Sequence, residues 1–348
     1  MEAVVTSMAG SMVLGVVDDL PAPGPGQVLV RPQAVGICGS DYHFLTGELV
    51  TPPAFGPQFP RVQGHEVAGV VEALGPDCPG QLAVGQRVAV WPLSSCGRCR
   101  ACRIGRPNAC PQFRLVGIHV DGALAEHLTV AAGQVFPVGD LPPTVAAFCE
   151  PMSIAVRALE RGRVAEGDTV VALGAGPIGQ AVTIGALDRG ARVLVTDLAA
   201  SRLALAAAAG ADVLDVGAPD ADAVATAREW SGGEGPAVVV DCSGRPAAIA
   251  DGVAMVAPAG RVVVVGISHD RVALPVNAFT EKEIDLLGST VCTAIDFAEA
   301  VRLVGRHREP VSRLVTHEVA LADAPAAVAH AMGHPGEVLK LVVRPGGR

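Results

Sequence analysis

The sequence predicts an α/β fold in two parts: a small β-barrel, then a doubly wound parallel sheet. Three observations carry this. The chain has 348 residues, about two domains' worth. Its first third holds short apolar or alternating runs broken by Pro and Gly clusters. Its middle holds continuous apolar runs separated by helix-like stretches. In order, Val28 to Val30, Val67 to Glu72 and Arg87 to Val90 read as barrel strands, with Pro21 to Gly26 and Gly75 to Gly80 among the breaks. Thr169 to Leu173 begins the second part as a β-branched strand, followed by a helix. Ala191 to Thr196 is the next strand, and Ser201 to Ala209 is a helix ended by Gly210. Ala237 to Asp241 and Arg261 to Val265 are further apolar strands, as expected for a parallel sheet covered on both faces. Val338 to Val343 reads as a last strand.

Half of the residues are hydrophobic and 18% are charged, which suits a folded core and excludes a disordered chain. Aromatics make up only 3%, so Ala, Val, Gly and Leu must fill that core. The formal charge of −9 lacks the basic footprint of a nucleic-acid binder. Glu2, Asp18 and Asp19 stand where a signal peptide would be positive. The charge-poor window Val170 to Leu187 contains Gly174, Gly176, Pro177 and Gly179, which argues against a membrane span. A cytoplasmic protein with no membrane partner is expected.

Among nine cysteines, Cys96, Cys99, Cys102 and Cys110 form C-x2-C-x2-C-x7-C. Four thiolates so spaced can close around one structural Zn²⁺, leaving no position open for chemistry; spacing alone also allows an iron–sulfur cluster. Cys78, Cys149, Cys242 and Cys292 read as small buried thiols.

Gly174-Ala-Gly176-Pro177-Ile178-Gly179 follows a strand and opens a helix, the context of a dinucleotide fingerprint. The first glycine makes the tight turn, the second admits the pyrophosphate, and the third lets helix and strand pack closely, with the phosphates at the helix N-terminus. Asp197 ends the next strand and is placed to accept the ribose hydroxyls, which favours NAD over NADP; nearby Arg202 is the feature that would suit a 2′-phosphate.

Cys38 in Gly-Ile-Cys-Gly-Ser-Asp, His65 and Glu66 in Gly-His-Glu, and Glu150 in Cys-Glu-Pro complete the motifs. Together with the cysteine cluster and the fingerprint, they resemble the zinc-containing medium-chain alcohol dehydrogenases, in the branch of polyol, sugar-acid and threonine dehydrogenases. The resemblance runs along essentially the whole chain. It implies a GroES-like catalytic domain over residues 1–153, with a structural-zinc lobe at about 91–114. A Rossmann NAD domain would cover 154–289, and the chain would rejoin the catalytic domain over 290–348, with the active site in the cleft. It implies a catalytic zinc on Cys38, His65 and Glu66, with Glu150 as an alternating or water-bridged fourth group. One thiolate and one carboxylate neutralise Zn²⁺, whereas permanent ligation by Glu150 would leave a poorer Lewis acid.

The resemblance further implies that Ser40 and His43 relay the proton. Ile178 would lie under the pyrophosphate, Val265, Gly266 and Ile267 would end a strand at the cofactor, and Thr290 and Val291 would approach the nicotinamide. The substrate implied is a small secondary alcohol or its ketone, handled by a homodimer or homotetramer. Thr290 stands where polyol and sugar-acid members often carry arginine, while Phe113 to Glu126 resembles the sugar-acid branch. A cyclitol or amino-sugar alcohol also fits, as does L-threonine. A non-catalytic NAD-binding or zinc-lobe interaction protein is the reading from another class. The Pro- and Gly-rich loop Phe44 to Pro60 is expected to shape the substrate pocket.

Overall fold

The computed structural model describes residues 1–48, 59–268 and 270–346. The chain divides into two compact units, Met1–Glu150 with Cys292–Arg348, and Pro151–Val291. Most of the loop expected to shape a pocket lies outside the described residues, and its first three residues instead close the helix Gly39–Thr46.

In the first unit a seven-stranded sheet runs in the order Val135–Pro137, Arg87–Val90, Glu66–Leu74, Gln27–Gly36, Lys340–Arg344, Val315–Ala320, with Leu128–Ala131 also pairing Gln27–Gly36. A smaller sheet joins Ser11–Val16, Glu2–Met8 and Arg61–Val62. Alternation drives the start of the long strand: Val28 and Val30 are fully buried, and with Val35 they enter a core that includes Val67, Leu124 and Leu341. The strands run longer than the apolar runs suggest, because pairing carries Gln27–Gly36 and Glu66–Leu74 past them. Two pairings position the site. Gly36 lies opposite Glu66 on one side and opposite Val342 of the C-terminal strand on the other.

The second unit is a six-stranded parallel sheet in the order Asp212–Asp215, Arg192–Asp197, Thr169–Leu173, Val238–Asp241, Arg261–Val264, Asp285–Gly288. Val170, Val171, Val195, Val239, Val240 and Val262 are fully buried, which is why these strands are apolar without alternation. Numbered along the chain, the order is 3-2-1-4-5-6, the dinucleotide-binding arrangement, with its switch point between Thr169–Leu173 and Val238–Asp241. The fingerprint and the turn after Asp241 both sit at the carboxyl ends of these two strands, and the Cys242 amide bonds the Leu173 carbonyl at 2.9 Å. No helix among the described residues is long and apolar enough to cross a membrane.

Candidate active site and cofactor site

Cys38 lies just before the helix Gly39–Thr46, and His65 lies just before the strand Glu66–Leu74, which Glu66 opens. One ligand atom from each of Cys38, His65 and Glu66 falls within 4.8 Å of the others. Gly64, at φ +94°, turns the chain so that His65 points into this group. A Cβ on Gly64 would press on Val35 and Leu124, so only glycine fits. The segment around His119 seats this turn, since the amides of Gly122, Ala123 and Leu124 bond the carbonyls of Val62, Gly64 and Gln63 at 2.7–3.0 Å.

The electrostatics are those of a buried charge cluster. His65 Nδ1 faces Asp41 Oδ1 at 3.6 Å, and Ser40 Oγ lies 3.4 Å from His65 Nε2. Burial alone would lower the imidazole pKa, but the Asp41 carboxylate and the Cys38 side chain outweigh it and hold the pKa well above its usual value. Asp41 also accepts the Cys38 amide on Oδ2 at 2.9 Å. Lys340 Nζ donates to Glu66 Oε1 and Oε2 at 2.7 and 2.8 Å and to the Ile37 carbonyl at 3.0 Å. Both side chains are buried, at 2% and 1% exposure. Gly36 makes room for this pair, since a Cβ there would strike the Glu66 carboxylate.

Glu150 is buried in the first turn of the helix Cys149–Arg161 but stands outside the three-residue group. Burial pushes its pKa up to about 7; Glu66 and Asp41 raise it while His65 and Lys340 oppose them. His43 is half-buried on the same helix as Ser40.

The donors suit a catalytic zinc: one sulfur, one imidazole and one carboxylate give three protein ligands, the number such sites use. Asp41 beside Nδ1 leaves His65 Nε2 for an ion, as with most metal-bound histidines. A metal would share the Glu66 carboxylate with Lys340.

The second cluster is the four-cysteine lobe. Cys99 and Cys102 sulfurs are 3.5 Å apart, Cys96 and Cys110 3.5 Å, and Cys96 and Cys102 4.0 Å. Tetrahedral Zn–S bonds require about 3.8 Å between sulfurs, whereas a disulfide would require about 2.05 Å. These spacings suit one tetrahedral ion, not a multi-iron cluster. The Arg98 and Cys99 backbone amides pull the Cys96 thiol down to about 6, toward the thiolate a metal needs. Of the other cysteines, Cys149 and Cys292 are buried, as expected. Cys78 and Cys242 are only partly covered, because each lies in a turn at a strand end.

In the second unit Gly174 sits at φ +98°, and a Cβ on Gly179 would collide with the Gly174 carbonyl oxygen. A Cβ on Gly176 would meet no protein atom within 4 Å, which leaves open space before the helix Pro177–Asp188, the helix that carries Ile178. Asp197 accepts the Ala175 amide on Oδ2 at 2.7 Å and the Ala199 amide on Oδ1 at 2.8 Å, tying the fingerprint turn to the next strand end. The Arg202 carbonyl accepts from Gln180 at 2.8 Å. The strand expected to reach Val265 stops at Val264. Val265 and Gly266 instead turn, both amides donating to the Asp241 carbonyl, and Ile267 is 52% exposed beyond them. Thr290 is exposed, and Val291 holds φ +45°, a strained setting for a β-branched residue.

Sequence reasoning missed Asp41, Lys340, Gln63 and Thr6. Asp41 had a local signal, three residues after Cys38. Lys340 had none, lying 274 residues from Glu66.

Comparison with known proteins settles the family. The alcohol dehydrogenase GroES-like domain matches residues 24–140, and the zinc-binding dehydrogenase domain matches 177–306. The chain belongs to the zinc-type alcohol dehydrogenases. It is 34% identical to L-galactonate-5-dehydrogenase of Escherichia coli over 87% of both chains. It is 32% identical to sorbitol dehydrogenase of Bacillus subtilis over 94% of both. It is 35% identical to L-threonine 3-dehydrogenase of Pyrococcus furiosus over 74% of both. Among solved structures, the RspB alcohol dehydrogenase of Escherichia coli CFT073 complexed with NADH superposes with a TM-score of 0.88, at 27% identity over 99% of both chains. A zinc-binding dehydrogenase of Sinorhizobium meliloti 1021 bound to NADP gives 0.88 at 31% identity, again over 99% of both.

Proposed function

We propose that this dehydrogenase oxidises a polyhydroxylated secondary alcohol to its ketone, reversibly, with NAD, at a zinc ion held by Cys38, His65 and Glu66. The observation that carries the reading is the convergence of these three donors within 4.8 Å. A zinc ion there would act as a Lewis acid on the substrate oxygen, worth several kcal/mol. NAD would accept the hydride.

The protein's own residues do the rest. Lys340 already neutralises much of the Glu66 charge, and with an ion held there it would keep that carboxylate from presenting a full negative charge to the substrate oxygen. Ser40 touches the His65 ring edge, where its hydroxyl can take the substrate proton, and His43 on the same helix passes it outward. Glu150, buried near the group with its pKa raised to about 7 by burial, would serve as an intermittent fourth donor to the ion. In the second unit the open space at Gly176 and Ile178 would hold the cofactor's pyrophosphate, and Asp197 with Arg202 would hold its ribose. Val265, Gly266, Ile267, Thr290 and Val291 would hold its nicotinamide end. Asp197 favours NAD; its charge would repel a 2′-phosphate.

The likeness to sugar-acid and polyol dehydrogenases supports the substrate class, and the likeness to a threonine dehydrogenase supports L-threonine as the second reading. The deciding experiment is NADH formation across polyols, sugar acids, cyclitols, simple alcohols and L-threonine, with NADP in parallel and a chelator control. Chelator-sensitive NADH formation with a polyol or sugar acid is the expected result. Turnover only with threonine would favour the second reading, and chelator-insensitive turnover would refute the metal mechanism. His43→Ala should slow turnover mainly at low pH, and an unchanged pH profile would refute the relay.

A further inference from the structure

We propose that Gln63 and Thr6 are positioning residues for the metal site, fixing the Asp41 carboxylate that sets the orientation of His65. The proposal rests on the reading of Cys38, His65 and Glu66 as metal ligands.

Thr6 lies on the strand Glu2–Met8, opposite Arg61, and Gln63 stands two residues before His65. Both are wholly buried, and Asp41 is 1% exposed. Thr6 Oγ1 donates to Gln63 Oε1 at 2.5 Å. Gln63 Nε2 donates to the Asp41 main-chain oxygen at 3.0 Å and to Asp41 Oδ1 at 3.3 Å. These contacts leave the amide one orientation. Its oxygen meets a donor and its nitrogen meets two acceptors; turned over, Oε1 would face two acceptor oxygens with no proton between them.

The Asp41 carboxylate is thereby held at both ends. Oδ2 takes the Cys38 amide at 2.9 Å, and Oδ1 lies between Gln63 Nε2 and His65 Nδ1. A carboxylate anchored at one oxygen can swing about its terminal torsion; anchored at both, it stays fixed 3.6 Å from His65 Nδ1 as a facing negative charge. A negative charge held there favours the tautomer with its proton on Nδ1, toward Asp41, and the lone pair on Nε2. Gln63 and Thr6 thus link the middle strand of the small sheet to the ligand geometry without touching the ligands' donor atoms. A buried amide flanked by Val62 and Gly64 at the edge of an apolar core is costly unless every polar atom is paired, and here Oε1 and Nε2 both are.

The test is Co²⁺ titration of the metal-stripped full chain, followed by visible absorption. The wild type should take two equivalents, and the four-thiolate lobe, with its own intense sulfur-to-metal bands, serves as the internal reference. Gln63→Met keeps the side chain's length and removes its polar bonds. It should weaken the second equivalent about 10–100-fold, the usual loss when a group supporting a metal ligand is removed, and leave the lobe unchanged. Thr6→Val should weaken the same equivalent by less, and Thr6→Ser should restore it. A purely scaffolding role would lower the melting temperature of the metal-free protein and leave both affinities at wild-type values, which would overturn the proposal. If Gln63→Met does not fold, the Thr6→Val and Thr6→Ser pair decides. A wild type that binds Co²⁺ only at the lobe would instead refute the metal reading on which the proposal stands.

Discussion

Replacing Lys340 by methionine tests the buried centre of the site directly. In the intact protein the ammonium group spends its three hydrogens on Glu66 Oε1, Glu66 Oε2 and the Ile37 carbonyl. Neither charged side chain is more than 2% exposed, so water cannot replace the lost partner. Removing one member of such a pair leaves an uncompensated buried charge and costs about 3–5 kcal/mol. In a unit of about 200 residues, at roughly 2–4 °C per kcal/mol, the metal-free protein should melt about 6–20 °C lower. A divalent ion on Glu66 supplies the missing positive charge, so the loss should be smaller in the zinc-loaded protein, and zinc should stabilise the variant more than the wild type. Calorimetry with and without zinc reads both quantities. The double replacement Lys340→Met with Glu66→Gln removes both charges and should recover much of the metal-free stability. A loss under about 2 °C, or no recovery in the double variant, would refute the account of a dry, charge-coupled pair; equal losses with and without zinc would refute the sharing of Glu66.

Three further outcomes are expected. Cys102→Ser should cost the protein one equivalent of metal and make the segment between Cys96 and Cys110 sensitive to limited proteolysis, because three thiolates no longer close the tetrahedron; unchanged metal content by mass spectrometry would count against that site. Asp197→Ala removes the acceptor of two backbone amides and should raise the KM for NAD roughly 10–100-fold while narrowing the preference over NADP; an unaltered NAD-to-NADP ratio in steady-state kinetics would remove Asp197 from cofactor choice. Burial and the nearby Arg114 and Arg61 push the His119 pKa down to about 4, against 6.5 in the unfolded chain. The folded protein therefore holds this imidazole neutral, and its share of stability is lost as pH falls from about 6.5 toward 4. His119→Asn keeps an acceptor near the Leu115 amide, which His119 Nδ1 accepts at 3.0 Å. It should flatten that part of the stability–pH curve, and parallel denaturation curves for the two proteins would show that His119 contributes nothing to it.

The sequence by itself determined whatever depends on neighbours along the chain. The fingerprint needs only a strand, a turn at positive φ and a helix start, and Thr169–Leu173, Gly174 and Pro177–Asp188 supply them within twenty residues. The four cysteines close on one another because their spacing permits a single loop to do so. Valine-rich runs declared the parallel sheet, since strands covered on both faces have no polar side to alternate with. Strand ends were less legible: pairing with Glu66–Leu74 carried Gln27–Gly36 past its apolar run, and a turn against Asp241 stopped Arg261–Val264 one residue early. Only the tertiary structure decided what surrounds the three donors. Lys340 meets Glu66 because sheet register sets the C-terminal strand and Glu66–Leu74 on either side of Gly36. Thr6 meets Gln63 because the middle strand of a different sheet passes beside the His65 turn. Glu150 is buried near the donors yet outside their group, a distinction that motif spacing does not carry. Register and sheet packing sum many weak contacts over the whole chain, so these partnerships leave no local mark on the residues that form them.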